Sequence, residues 1–247
     1  MWYQSVQTID LWGIKIQVWG LLLAIGTMLA WFLFDYNLLW RRIKHDSSWV
    51  MSGFIISALA GARLMQIILD WGYYSRNPEK ILAIWEGGMA SYGAYILGFT
   101  FLWLYIKKYV KQKTDFLEAA IGPMFLALMV ARTGCFIIND HLGKLGDWPW
   151  SIAVYGEMRH PLSLYYVLLS FILFTFFSYL FYQKKYRGYL FWLAIAMYSG
   201  LRLTIDLFWK DWQGNQASFY GTIITSVVFI AIGVVKIWHI SKQEQKI

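Results

Sequence analysis

Cysteine is nearly absent from this chain: Cys135 is the single one in 247 residues. That excludes an intrachain disulfide framework and a metal cluster built on several cysteines. Proline is scarce too, at four, and no stretch has the polar, turn-rich composition of a linker or a low-complexity tract. Charge is the third shortage. Charged residues make up 15% of the chain, where a soluble domain carries about a quarter. No internal repeat points to a duplicated transporter half. Residues 1–15 lack a basic segment followed by an apolar run, so a cleavable signal peptide is not expected. No HExxH or comparable ligand spacing occurs, and neither a metal nor a cofactor is expected.

What is plentiful is apolar. Hydrophobic residues account for 59% of the chain and aromatic residues for 20%, with 15 Trp. A spanning helix needs about 20 mostly apolar residues. Seven windows meet that need, roughly 17–38, 49–70, 87–106, 116–136, 162–182, 189–209 and 219–240. Helices are expected because backbone in lipid must satisfy its own hydrogen bonds, and the windows are too long and uniform for barrel strands. The expectation is an all-α polytopic membrane protein, one seven-helix domain over 1–247. Its extracytoplasmic loops fall around 71–86, 137–161 and 210–218.

Loop charge sets the orientation. One set of loops holds thirteen of the basic residues: Arg41, Arg42, Lys44, Lys107, Lys108, Lys111, Lys113, Lys184, Lys185, Arg187, Lys236, Lys242 and Lys246. The other set holds six: Lys15, Arg76, Lys80, Lys144, Arg159 and Lys210. The richer side is expected in the cytoplasm, which puts the N-terminus outside and the C-terminus inside an inner membrane. Bases at the ends of apolar segments, and not on a soluble face, also argue against nucleic acid as the partner of a chain with net charge +8.

Three of the 22 Lys and Arg fall inside predicted spans: Arg63, Arg132 and Arg202. A central arginine costs at least about 2.5–3.5 kcal/mol on insertion scales, so such a residue points to function. Asp206 lies one helical turn from Arg202 and is a candidate partner for it. In the expected topology all three arginines sit in outer halves of their spans. Guanidinium groups at headgroup depth suit bidentate binding of a lipid phosphate. Loops on the same side carry further polar candidates: Gly87, Gly88, Tyr92 and Gly93, then Gly134, Asp140, His141, Gly143 and His160. Glycines there permit close approach of a ligand, or else serve helix packing.

In order along the chain, these residues resemble the bacterial prolipoprotein diacylglyceryl transferases, from about Trp19 to Gly221. Gly61-Ala62-Arg63-Leu64 is similar to the family's Gly-Gly-Arg-Leu. Trp85-Glu86-Gly87-Gly88-Met89 with Tyr92-Gly93 resembles its Gly-Gly-(Leu/Met)-Ser-Phe-His-Gly. Arg132-x-Gly134-x-Phe136, ending in Gly143, resembles Gly-Arg-x-Gly-Asn-Phe with its later glycine. His160-Pro161-x-x-Leu164-Tyr165 is similar to His-Pro-x-Gln-Leu-Tyr-Glu, and Arg202-x-x-x-Asp206 to Arg-x-x-x-Glu.

The resemblance implies transfer of diacylglycerol from phosphatidylglycerol to the lipobox cysteine of a prolipoprotein signal peptide, with a thioether formed and glycerol 1-phosphate released. It implies Arg132 and Arg202 on the departing phosphate, Asp206 holding Arg202, and a further phosphate or lipid contact from Arg63. The nucleophile then belongs to the acceptor, so Cys135 is a packing residue. The chain departs from the family's pattern at Trp19, Tyr92, Cys135, Ser163 and Tyr166. Tyr92 replaces a histidine, and its reference pKa of about 10 makes it a poor base. Either Tyr92 is a hydrogen-bonding group and the base is elsewhere, at His141 or Asp140, or the acceptor differs. A catalytically silent lipid-binding protein and a small-solute transporter are the other readings.

Overall fold

The computed structural model describes residues 7–11, 14–44, 46–83, 88–154, 156–183, 188–212 and 216–244. Two compact units divide it, one of residues 1–41 and 114–247, the other of 42–113.

In the first unit, a short hairpin pairs β1 (Thr8–Leu11) with β2 (Ile14–Gln17). Its register sets Ile9 against Ile16 and Asp10 against Lys15, as an alternating apolar–polar sequence favours. Six helices follow among the described residues: α1 (Val18–Trp40), the pair α5 (Lys113–Ala119) and α6 (Ile121–Ile137), α7 (Leu162–Gln183), α8 (Leu190–Trp209) and α9 (Gln216–Glu244). Helix α6 packs against α1 and α7, and α8 packs against α7 and α9. Pro123 falls in the first turn of α6 and Pro161 just before α7, where the missing N–H costs no helical bond. A second hairpin, β3 (Ile152–Val154) with β4 (Glu157–Arg159), stands in the loop between α6 and α7.

The second unit is smaller. Helix α2 (Ser47–Leu69) is capped by Asp46, whose carboxylate accepts from the Ser48 amide at 2.8 Å. It is followed by the single turn α3 (Trp71–Tyr74), a 3-10 turn at Pro78–Ile81 and α4 (Ser91–Tyr109). Helices α2 and α4 pack closely through Gly61 and Gly93. A methyl group added at Gly93 would stand 2.0 Å from the Gly61 carbonyl oxygen. Of the two sequence readings for Gly93, the helix-packing one describes what this contact does.

Six helices among the described residues are long and apolar enough to cross a membrane: Val18–Trp40, Ser47–Leu69, Lys113–Ile137, Leu162–Gln183, Leu190–Trp209 and Phe219–Lys242. The remaining expected span corresponds to α4, which is a helix of 19 residues but lies outside that set. Its four tyrosines and the Lys107–Lys108 pair dilute an otherwise apolar sequence. The molecule is inverted relative to a soluble protein. Phe32, Leu39, Trp49, Ile56 and Ile68 each expose two thirds or more of their surface, while Asp206 and Glu118 are wholly buried.

Candidate functional site

Arg132, on α6, and Arg202, on α8, converge on one ring. The Arg132 guanidinium carbon lies 4.9 Å from the centre of the Tyr166 ring, and that of Arg202 lies 6.0 Å from it. Tyr166 comes from α7, so three helices meet here. Its hydroxyl donates to the Asp206 carboxylate. The second oxygen of that carboxylate faces Arg202 Nε at 3.7 Å, an ion pair just outside hydrogen-bonding range. Asp206 is fully buried, whereas the Arg202 side chain remains 37% exposed. The Trp212 indole N–H donates to the Asp206 backbone carbonyl at 2.9 Å and so fixes the end of α8.

The electrostatics follow from this packing. An aromatic face attracts a guanidinium, and Tyr166 holds two such cations near each other where they would otherwise repel. The buried carboxylate compensates part of their charge. Two planar cations remain, and an anion with several oxygens is the complement they lack.

Arg63 is differently employed. Within the second unit its Nε donates to the Ile81 carbonyl at 2.9 Å and its Nη1 to that of Gly88 at 2.8 Å. Its Nη2 donates to the carbonyls of Lys80 and of Ala83. The Tyr74 ring lies 5.2 Å from its guanidinium carbon. Gly88 makes this clamp feasible: it has φ +70°, and a methyl group there would meet Arg63 Nη1 at 3.1 Å. The structure therefore uses Arg63 to hold the carbonyls of Lys80, Ile81, Ala83 and Gly88. Gly87, with Ile84, Trp85 and Glu86, lies outside the described residues. Tyr92, in the first turn of α4, is 72% exposed.

A second cluster forms where α6 ends. The Asp140 amide donates to the Cys135 carbonyl at 2.9 Å, and Asn139 and His141 take left-handed backbone conformations with φ 56° and 61°. This turn folds Asp140 and His141 back over the helix end. His141 Nδ1 lies 2.9 Å from the Asp140 carboxylate, and the His141 amide donates to the other oxygen at 2.9 Å. Cys135 Sγ belongs to the same group, with one donor atom of each of the three residues within 4.8 Å of the others. Hydrogen bonds to Asp140 and then to Cys135 push the His141 pKa from 6.5 up to about 9, against the opposing effect of burial. The same hydrogen bond from His141 holds the Asp140 carboxyl below its usual range. Cys135 is buried and Asp140 and His141 are exposed.

A pocket beside this cluster is lined by Asn139, Asp140, His141, His160 and Ser163 among others. His160 Nδ1 is 2.8 Å from the Tyr165 hydroxyl, which also accepts from the Trp150 indole at 2.9 Å. Burial lowers the His160 pKa, and the charge of Lys144 adds to that. Ser163 donates to the Asp140 carbonyl at 2.6 Å. The loop is anchored to the end of α8. The Lys144 amide donates to the Trp209 carbonyl at 2.8 Å, and Arg159 pairs with Asp211 at 3.0 Å and with Glu157 at 2.6 Å. Gly143 sits in this crossing, where a methyl group would come within 2.6 Å of the His160 carbonyl oxygen. Gly134, by contrast, makes ordinary contacts with α1 at Trp19 and Leu22.

Of the sequence candidates, the first unit therefore brings Arg132, Arg202 and Asp206 together through Tyr166, and Asp140 and His141 together with Cys135. Two participants were missed. Tyr166 entered the sequence reading only as a departure from a pattern, and Cys135 only as packing. An aromatic residue five positions after Pro161, and a cysteine three positions after an intramembrane arginine, were the available signals.

Comparison with known proteins gives one consistent result. The profile of the family described as prolipoprotein diacylglyceryl transferase matches residues 7–239. Proteins named phosphatidylglycerol–prolipoprotein diacylglyceryl transferase are similar along most of their length. The one from Tolumonas auensis is 28% identical over 99% of both chains. That from Streptococcus uberis is 29% identical over 88% of this chain and 90% of its own. That from Finegoldia magna is 27% identical over 80% of each.

Proposed function

Because the chain belongs to the prolipoprotein diacylglyceryl transferase family, we propose that the two arginines converging on Tyr166 bind the phosphate of its lipid donor. The protein is a multi-pass membrane enzyme. It transfers the diacylglyceryl group of phosphatidylglycerol to a prolipoprotein. The acceptor group is the thiol of the lipobox cysteine. Its sulfur attacks the glycerol carbon that carries the phosphate, a carbon–sulfur bond forms, and the carbon–oxygen bond breaks. The electron pair leaves with the phosphate as glycerol 1-phosphate, and the thiol proton passes to solvent.

Charge gathers on the leaving phosphate in the transition state, so cations aimed at it lower the barrier. Arg132 and Arg202 supply that charge, and Asp206 with Tyr166 fixes their orientation. His141, Asp140, Gly143 and His160 form the loop and pocket that receive the acceptor cysteine. Tyr92 is assigned from the resemblance alone as a hydrogen-bonding group for the lipid, while Arg63 holds the Gly88 carbonyl. The topology that serves this reaction has seven spans in a bacterial inner membrane, α4 included, with the N-terminus outside. The thirteen-to-six loop asymmetry supports that orientation.

The observation that carries this reading is the shared Tyr166 ring beneath two guanidinium groups. Its test is purified protein incubated with phosphatidylglycerol labelled in an acyl chain and a lipobox peptide. Mass spectrometry is expected to find the peptide heavier by one diacylglyceryl group, and a serine-for-cysteine peptide unchanged. No product with the cysteine peptide would end the assignment.

A further inference from the structure

We propose that Cys135, Asp140 and His141 form a three-ligand site for a thiophilic divalent cation, of the zinc type, whose fourth position takes the acceptor's thiol. The inference rests on the transferase reading only in its last clause; the cation site stands on its own geometry.

One donor atom from each residue lies within 4.8 Å of the other two. Ligands of a tetrahedral zinc ion sit about 3.3–3.8 Å apart, given bonds of about 2.0–2.3 Å, so a small contraction closes the group around an ion. The donor set is one sulfur, one imidazole nitrogen and one carboxylate oxygen, which suits zinc and disfavours magnesium and calcium. Thiolate and carboxylate together balance the charge of a divalent ion. Three protein ligands with one open position is the pattern of catalytic and not structural zinc.

The open position has a direction. The sulfur comes from the buried helix end, and the two other ligands lie on the exposed side, beside the pocket. Asn139 lines the same pocket, and its side-chain oxygen is buried with no hydrogen-bond partner. It is an acceptor available to a group bound at the ion. His141 Nδ1 already stands 2.9 Å from the Asp140 carboxylate, with Cys135 Sγ in the same group. Arg132 lies three residues before Cys135 on α6, one turn away on the same side of the helix. The ion would therefore neighbour the cation that holds the leaving phosphate.

This placement answers a chemical need. A free thiol has a pKa near about 8.5, and a metal-bound thiol is deprotonated outright. At the ion the acceptor thiol loses its proton to solvent, its sulfur attacks the glycerol carbon, and the electron pair of the broken carbon–oxygen bond leaves on the phosphate.

The experiment uses the full-length protein in detergent, stripped with a chelator and titrated with cobalt(II) alone. Cys135 is the chain's single cysteine, so any thiolate-to-cobalt absorption band reports it. The expected result is such a band at one ion per chain, lost in Cys135→Ser. Affinity should fall at least about tenfold in His141→Gln and in Asp140→Asn, both at exposed positions. Adding a lipobox peptide should change the cobalt spectrum, and its serine version should not. Absence of the band in the unaltered protein overturns the site, and a band indifferent to His141→Gln and Asp140→Asn overturns the ligand set. A spectrum indifferent to the cysteine peptide overturns the fourth position. A normal cobalt response without diacylglyceryl transfer from phosphatidylglycerol would instead remove the transferase reading and leave the cation site.

Discussion

At the scale of single residues, Tyr166 links the two arginines and therefore carries the clearest predictions. Replacing Arg132 or Arg202 by lysine keeps the charge but loses the planar fork and much of the stacking on the ring. Each variant is expected to lose at least about tenfold in kcat/KM for phosphatidylglycerol, or about 1.4 kcal/mol in the barrier. Full activity in both would mean that neither holds the phosphate. Tyr166→Phe separates orientation from stacking. The ring remains under both cations, but the buried Asp206 loses the hydroxyl that donates to it. Leaving that oxygen without its donor costs about 1–3 kcal/mol, read as a lower unfolding temperature in detergent. Activity should fall with it, because Arg202 loses the fixed carboxylate that aims it. Both arginines were legible in the sequence, because bases inside apolar spans are costly. Tyr166 was not, since a tyrosine in an aromatic-rich helix gives no signal until its neighbours are known.

Secondary-structure elements show a different balance. Spans α1, α2, α7, α8 and α9 could be read from apolar length, and α6 with them. Neither hairpin could be foreseen, because strands of three or four residues are shorter than the windows that reveal helices. Arg41 illustrates a second limit. It counts as a basic loop residue in the sequence, yet its side chain is buried between Asp115 at 3.7 Å and Glu118 at 3.6 Å, with its guanidinium 4.5 Å from the Phe181 ring centre. Charge counting cannot tell such a structural cation from a solvated one. The glycines were ambiguous for a related reason: ligand approach and helix approach both require a missing side chain. For α2 and α4 the packing use predicts a definite outcome. In Gly93→Ala the new methyl group meets the Gly61 backbone and the Met65 Cβ, neither the far end of a flexible side chain, so the two helices must separate. The variant is expected to unfold at lower temperature in detergent, with accumulation in membranes reduced. Gly134→Ala, where the nearest atoms stand at 3.4 Å and beyond, is expected to fold normally. Equal stability of the two variants would refute the close-packing account.

For the whole molecule, the question is which way the helices cross. The number of bases per loop decides it in the sequence, and removing the buried Arg41 from the count leaves the asymmetry large. The proposed chemistry depends on the same answer. Arg132 and Arg202 lie toward the ends of α6 and α8 that meet the loops at 137–161 and 210–212, and a secreted acceptor must reach that side. Single cysteines introduced at Lys111 and at Gln183 are therefore expected to resist a membrane-impermeant thiol reagent in intact cells. Cysteines at Asn77 and at Asp147 are expected to react. The buried native Cys135 provides the background measurement in the unaltered chain. After membranes are opened, all four introduced positions should label, which shows that resistance came from sidedness and not from burial. The test also bears on α4, whose tyrosines and terminal lysines make it the least apolar of the proposed spans. Asn77 precedes it and Lys111 follows it, so opposite labelling of the two requires the chain to cross the membrane between them. Equal labelling of Asn77 and Lys111 would leave α4 on one side and reduce the spans to six. Reversal at all four positions would place the arginine pair on the cytoplasmic face, away from a secreted acceptor, and the transfer reaction would lose its geometry.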